Sequence, residues 1–296
     1  MKALVIGSTG FVGMHLMRRL DQPIAVGRSS EKIRQRLGDV EARIWDPGRS
    51  VEPSLLAGVD TVFHLAGESV FNGRWNAAKK DKIRASRVDA TRRLVDGMAS
   101  CAQPPKTLIC SSAIGFYGDR GAEKLSELSA PGHDFLAGVC EAWEREALRA
   151  QGFGVRVVCI RTGVVLGKGG GALAQMLPLF RMGLGGWLGN GHQYMSWVHI
   201  DDLVGIMLHA AGQEGVSGPV NGVAPEPVTN REFTRTLAQV LHRPALFPVP
   251  GFVLKLALGE FATVLLASQR VIPEKISQAG YRFIFPALKE GLGNLL

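Results

Sequence analysis

A chain of 296 residues with 46% hydrophobic content suits one large domain, or one domain with a smaller appendage. A net charge of +8 fits an anionic ligand; it would also fit nucleic acid, but no basic motif interleaved with aromatics argues for that partner. No apolar run approaches the about eighteen residues of a membrane span, Lys2 leads into a short strand rather than a secretory leader, and Cys101, Cys110, Cys140 and Cys159 lack metal-ligand spacing. The expectation is a cytoplasmic protein with reduced, mostly buried thiols, no membrane contact and no metal.

Lys2-Ala3-Leu4-Val5-Ile6 reads as a strand that stops at Gly7. Gly7-Ser8-Thr9-Gly10-Phe11-Val12-Gly13 follows, then a helical stretch from Met14 to Leu20. Strand, glycine turn and helix start, in that order, suit a nucleotide diphosphate. Gly7 permits a tight turn, Gly10 lets the backbone approach a pyrophosphate, and Gly13 lets the helix pack close to the strand. The helix N-terminus offers free N–H groups and a positive dipole end to the phosphates. A turn between any strand and helix needs no ligand, but the position and context of this one favour a dinucleotide.

Pro23 to Gly27 reads as the second strand, ending at Arg28-Ser29-Ser30, with a helix from Glu31 to Leu37. A carboxylate at this strand end binds the ribose hydroxyls of NAD(H), whereas an arginine accommodates the 2′-phosphate of NADP(H). Arg28, with Ser29 beside it and Lys32 one turn on, predicts NADP(H); the bland alternative is a solvated loop arginine. Ala42 to Trp45 is the third strand, followed by Asp46. Asp60 to Gly67 is the fourth, running into a small-residue turn and an insertion-like stretch with Arg74-Trp75. A long helix is expected from about Ala77 to Ala102. Lys106 to Ser112 and Val155 to Arg161 are the fifth and sixth strands, with a helix from about Asp134 to Gln151 between them. This alternation over residues 2–166 predicts an α/β fold, a Rossmann-like, doubly wound parallel sheet.

From Gly167 the rhythm breaks. Lys168 to Gly171 is a flexible loop without the Gly-Lys-Ser/Thr of a P-loop. A helix over Ala172 to Met182 and a glycine-rich turn region over 183–189 come next. At Ser196 to Asp202 a strand runs into a helix. His199 and Asp201 there suggest a metal, but Asp201 or Asp202 as helix N-cap is the stronger reading. Thr229 to Glu232 has capping-box spacing, and Phe252 to Leu266 is an apolar helical stretch. Residues 1–166 thus form a dinucleotide-binding part, to which 196–224 return, and 167–296 are mainly a smaller substrate-binding region.

The Gly7/Gly10/Gly13 spacing with Thr9, Phe11 and Val12 inside it resembles the extended short-chain dehydrogenase/reductase superfamily, which includes nucleotide-sugar epimerases and dehydratases. His64-Leu65-Ala66 and Ser111-Ser112 with Tyr117-Gly118 resemble two more of its elements. Leu65 to Glu68, Arg74-Trp75, and Ser86-Arg87 followed by Thr91 and Leu94-Val95 are similar to a narrower, atypical group: the epimerase-like proteins termed NAD-dependent epimerase/dehydratase family or YfcH-like. That likeness runs nearly end to end, including 161–202 and Asn221 to Pro225. It implies that Leu65, Ala66 and Gly67 lie along the cofactor. It also implies that Asp46 contacts the adenine amino group, unless it is an ordinary turn aspartate before Pro47-Gly48. Arg87 stands four residues before Thr91, where the superfamily has an asparagine. It is either a phosphate ligand or a solvated helix residue.

Redox members of the superfamily use a tyrosine, a lysine four residues later, and an upstream Ser/Thr; lysine and cofactor lower the tyrosine pKa. This chain departs from that pattern. With the trailing glutamate at Glu144, the tyrosine position holds Leu136 and the lysine position Cys140; shifted by one, they hold Phe135 and Val139. Ala113 lies four residues before Tyr117, with Ser112 adjacent. Ser112 and Tyr117 are the candidate catalytic residues, with Glu68, Cys140 and His64 as further candidates, each of which also has a packing role to fall back on. The expectation is an NADP(H)-binding, epimerase-like oxidoreductase with a non-standard proton donor and a small-molecule substrate. The alternative is a non-catalytic NADP(H)-binding sensor or partner-binding protein. A homodimer is left open.

Overall fold

The structure, a computed structural model, describes residues 1–71 and 75–296. Arg74, one of the residues carrying the resemblance, lies outside the described residues. Seven parallel strands form the central sheet: β1 (Ala3–Ile6), β2 (Ile24–Gly27), β3 (Ala42–Ile44), β4 (Thr61–His64), β5 (Thr107–Ala113), β6 (Arg156–Thr162) and β7 (Gly218–Gly222). Their order is β7-β6-β5-β4-β1-β2-β3. The chain therefore builds outward from β1 to one side, then returns and builds from β4 to the other. The crevice between β1 and β4 is the switch point of the sheet, where open α/β folds take ligands.

Both faces of the sheet are covered along its inner strands, whose central residues are apolar and buried. Leu4, Ile6, Val62, Leu108 and Val157 face one layer, with Leu94 and Met98 of α4 (Ala90–Ala99) and Trp143 of α5 (Phe135–Leu148). Ala3, Val5, Phe63, Ile109 and Val158 face the other, with Leu16 of α1 (Phe11–Met17) and Leu203 of α7 (Ile200–Gly212). Alternate residues of one strand thus serve two cores. α2 (Ser30–Leu37) flanks β2 and β3. A third core joins Leu173 and Phe180 of α6 (Gly171–Arg181), Phe233 and Leu237 of α8 (Asn230–Leu241), Trp197, and Leu288 and Leu292 of α12 (Leu288–Leu295).

Several expectations need correction. α1 starts inside the glycine motif, at Phe11 rather than Met14, because Gly10 serves as N-cap directly after the turn. The long helix is interrupted: α3 (Ala77–Arg84) passes through a π-turn at Ala85–Asp89 before α4. The apolar stretch 252–266 is two helices, α9 (Gly251–Leu258) and α10 (Phe261–Leu266), parted at Gly259 with φ +62°. The strand before α7, Trp197–His199, pairs with Val164–Gly167 in a separate ribbon. The seventh sheet strand comes later, from Gly-Pro-Val-Asn-Gly, whose composition hides it. The α7 cap is neither Asp201 nor Asp202. His199 Nδ1 accepts the Asp201 N–H at 3.1 Å. Asp202 is fully buried and accepts from the Tyr281 hydroxyl and from the N–H groups of Ile284 and Phe285. The Thr229/Glu232 capping box is present. The last helix of the chain's C-terminal third not yet placed, α11 (Glu274–Gln278), follows a short pairing of Arg270–Val271 with Lys124–Leu125.

Candidate cofactor site

The glycine turn closes on itself and on β4. Gly7 has φ +85°, a conformation that disfavours any side chain, and an added Cβ would lie 2.9 Å from the Ala66 nitrogen. A Cβ on Gly13 would run into the Gly7 carbonyl oxygen and come within 2.9 Å of Ser8 Cα. Gly10 donates its N–H to Gly7 O at 3.0 Å. Buried Ser8 donates its hydroxyl to Val26 O at 3.2 Å, clasping the turn to β2. That clasp was not read from the sequence; a serine inside a glycine turn carries no signal of its own. Gly10 contributes no side-chain cap, so the first-turn amides of Phe11, Val12 and Gly13 have no capping acceptor. Thr9 is half-buried at the tip. Phe11 turns toward the later loop, where a Cβ on Gly167 or Gly170 would strike its ring.

Beyond the turn, β2 ends at exposed Arg28. Ser29 caps α2, its hydroxyl accepting the Lys32 N–H at 3.3 Å. Across from them Trp45 N–H bonds Gly27 O, which brings Asp46 next to the end of β2. Asp46 accepts the Gly48 N–H at 2.9 Å and lies 3.9 Å from Arg49, so it does fold its own turn.

On the other side of β1, Leu65 N–H extends the pairing of β4 to Ile6 O. Leu65 and Ala66 are half-buried and Gly67 is exposed. The Arg87 guanidinium lies against Gly67: a Cβ there would come within 3.3 Å of its central carbon. Arg87 donates to Ile83 O at 3.2 Å and contacts Ser86 Oγ at 3.4 Å. Its guanidinium is also 5.4 Å from the Trp143 ring. Burial draws its pKa down, and no ion pair to it occurs among the described residues. Next along, Glu68 takes its N–H to Ser86 Oγ at 3.0 Å and pairs with Lys79 at 2.7 Å. That bond, with the Lys79 charge, pulls the Glu68 carboxyl below its ordinary value. Beyond this turn Trp75 packs on Phe135 of α5 and Phe261 of α10, joining the C-terminal region to the strand ends.

The two candidate catalytic residues belong to a buried network instead. Tyr117 is fully buried; its hydroxyl donates to Asn221 Oδ1 at 2.7 Å and accepts from Arg161 at 3.0 Å. Burial pushes its pKa up to about 12. Ser112, also buried, donates to Glu144 at 2.6 Å, and Glu144 holds Arg161 with two contacts of 2.8 Å. Both hydroxyls are buried and hydrogen-bonded within the network that joins β5, β6 and β7. On α5, Leu136 and Cys140 share the face turned to Gly115, where a Cβ would lie 3.4 Å from Leu136 and 4.0 Å from the Cys140 sulfur. In the register that puts the trailing glutamate at Glu144, these two fall at the tyrosine and lysine positions; in the other, Phe135 and Val139 do. Burial pushes the Cys140 thiol up to about 12, so it is no base at neutral pH. His64 is fully buried with neither ring nitrogen hydrogen-bonded among the described residues, and burial lowers its pKa to about 4. No group of three His, Cys, Asp or Glu suited to a metal occurs among the described residues.

The comparisons agree with this frame. Residues 3–222 match the NAD dependent epimerase/dehydratase family, and residues 249–295 match a domain of unknown function, DUF1731. The epimerase family protein SDR39U1 of Bos taurus is 39% identical over 100% of both chains. A chloroplastic SDR39U1 homologue of Arabidopsis thaliana is 38% identical over 99% of this chain and 86% of its own. Among the described residues, no helix is long and apolar enough to cross a membrane. The human SDR39U1 crystal structure with NADPH superposes with a TM-score of 0.90 at 35% identity, covering 100% of this chain and 99% of that one. The nucleoside-diphosphate sugar epimerase of Corynebacterium glutamicum is also 35% identical, with a TM-score of 0.79 over 99% of this chain and 58% of that one. A strand order turning at β1, a glycine turn too tight for side chains and full-length relatives at this identity have one common reading: the chain belongs to the NAD dependent epimerase/dehydratase family.

Proposed function

We propose that this chain is an NADP(H)-dependent, epimerase-like oxidoreductase of the atypical short-chain dehydrogenase/reductase type, working without the usual tyrosine and lysine. The observation that carries the cofactor is the pairing of the glycine turn with Arg28 at the end of β2. The turn leaves no room for a Cβ at Gly7 or Gly13, yet exposes Gly10 and leaves the amides of Phe11, Val12 and Gly13 without a cap. That donor set suits a pyrophosphate. Arg28, Ser29 and Lys32 supply cations and a hydroxyl for a 2′-phosphate, while the neighbouring Asp46 carboxylate is engaged with Gly48 N–H and lies near Arg49. The full-length human relative crystallised with NADPH supports the same choice.

In this reading Gly7, Thr9, Gly10 and Gly13 bound the pyrophosphate, Arg28 and Ser29 hold the adenosine phosphate, and Leu65, Ala66, Gly67 and Arg87 face the remaining half. The bound nucleotide supplies or accepts a hydride. The chain's own part is to bind and orient it and to wall the far end with Leu136, Trp75 and Phe135. The substrate is a small molecule at the strand ends, of the carbonyl type that a nicotinamide can reduce. Glu68, 41% exposed and paired with Lys79, is the ionisable group open to such a ligand.

A second reading is a non-catalytic NADP(H)-binding protein. It is favoured by the apolar Leu136 and high-pKa Cys140 at the two positions where proton transfer is expected. Calorimetry with NADPH, NADP⁺, NADH and NAD⁺ comes first. A preference for the phosphorylated pair is expected, and binding of none of the four refutes the cofactor. A carbonyl screen for NADPH oxidation then separates the readings: no turnover with tight binding leaves the sensor.

A further inference from the structure

The lysine position of α5 holds an apolar thiol, but the site is not without a cation. Arg87 approaches it from the neighbouring helix. Three observations place it. The π-turn at Ala85–Asp89 adds one residue to the helix repeat, and Ser86 and Arg87 both lie in it; such turns recur at functional sites. Ser86 receives the Glu68 N–H, so the π-turn is tied to the strand-end turn it faces. The Arg87 guanidinium lies against Gly67 and within electrostatic reach of Cys140. It stacks over Trp143 and has no carboxylate in ion-pair contact among the described residues. A half-buried cation held by a carbonyl, a hydroxyl and a ring, with its nearest carboxylate, Glu68, acting only at a distance and itself paired with Lys79, is a costly arrangement unless an anion or polar ligand completes it.

We propose that Arg87 supplies, from the π-turn, the positive charge that lysine supplies from α5 in redox members of the superfamily, and that it binds the nicotinamide-ribose half of NADP(H). The proposal rests on the NADP(H) reading above. The sheet order decides which half it meets. The pyrophosphate turn is on β1, and Arg28 is at β2, on one side of it. Arg87 lies at the end of β4 beside α5, on the opposite side. A dinucleotide with its adenosine phosphate at Arg28 directs its nicotinamide ribose over Gly67.

The test is calorimetry of NADPH beside 2′,5′-ADP, which carries only the adenosine half. Arg87→Ala is expected to weaken NADPH by about tenfold to a hundredfold, the value of a charge-assisted hydrogen bond, and to leave 2′,5′-ADP unchanged. Arg28→Ala should weaken both. In the Arg87→Ala background, Cys140→Lys should recover part of the NADPH affinity. If Arg87→Ala does not fold, Arg87→Met, which keeps the stem, takes its place. Equal loss for both ligands, or no loss for NADPH, overturns the role of Arg87 while the cofactor stands. A wild-type protein that binds neither ligand overturns the cofactor reading and this proposal together.

Discussion

Glu144→Gln tests whether the network around Tyr117 is scaffold or machinery. The change is isosteric, so packing is kept while the charge is lost. In the native protein Glu144 and Arg161 are 5% and 3% exposed and share two contacts of 2.8 Å, with Ser112 adding a third at 2.6 Å. The variant leaves Arg161 buried without a counter-charge. Breaking such a pair costs about 3–5 kcal/mol, a large share of the roughly 5–15 kcal/mol that holds a domain. An unfolding entropy of about 2.1 cal/mol/K per residue, over this chain's length, converts that loss into a Tm fall of about 5–8 K. Thermal and urea unfolding read it directly. A loss below about 1 kcal/mol would show that Arg161 does not depend on Glu144. The companion change, Tyr117→Phe, removes a hydroxyl bonded to Asn221 and Arg161 and should cost about 1–2 kcal/mol with NADPH affinity unchanged. Were Tyr117→Phe instead to abolish a measured hydride transfer at unaltered stability, the scaffold assignment would be wrong and Tyr117 would return as the acid.

Three further outcomes follow from particular contacts. Arg28→Ala should weaken NADPH by about 1–3 kcal/mol and NADH hardly at all; equal losses would remove Arg28 from the 2′-phosphate. Gly13→Ala places a methyl against the Gly7 carbonyl, so α1 must move off the turn. We expect a stability loss of about 1–3 kcal/mol and loss of NADPH binding by calorimetry, whereas a variant that still binds normally would show that the turn is not the pyrophosphate site. His64 is neutral when folded, with a pKa near 4 against 6.5 when free. The unfolded chain therefore takes the proton first. Its contribution is complete above about pH 6.5 and is lost as pH falls through about 4, up to roughly 3 kcal/mol in all. His64→Phe should flatten unfolding free energy over that window relative to wild type, and an unchanged slope would refute the assignment.

What the sequence made legible follows from where local chemistry decides structure. Gly7 and Gly13 were readable because only glycine fits there, and the structure shows the collisions that exclude anything larger. β1, β2 and β4 to β6 were readable because their central residues are buried on both faces; β3 is an edge strand, Ala-Arg-Ile, that is largely exposed. β7 was not readable, since Gly218, Pro219 and Asn221 carry no strand signal and the strand exists through pairing with β6 alone. The α7 cap was misassigned for a related reason. Asp202 is a favoured cap residue, but its carboxylate is claimed by Tyr281, Ile284 and Phe285 from about eighty positions later, and no local rule sees so far. The partners of Tyr117 were out of local reach in the same way. The turn Ile114–Tyr117 carries the family pattern, yet its hydroxyl is taken by Asn221 and Arg161, partners 104 and 44 residues away. Arg87 sits between these cases. Its position was read by counting from Thr91, but its direction depends on the π-turn, which moves every later side chain round the helix by about 100° relative to a continuous α-helix. The charge pattern of the site is therefore set by a backbone irregularity as much as by residue identity. In the Glu144 register a search for the lysine along α5 finds Cys140, whereas the cation proposed in its place, Arg87, sits on the neighbouring helix.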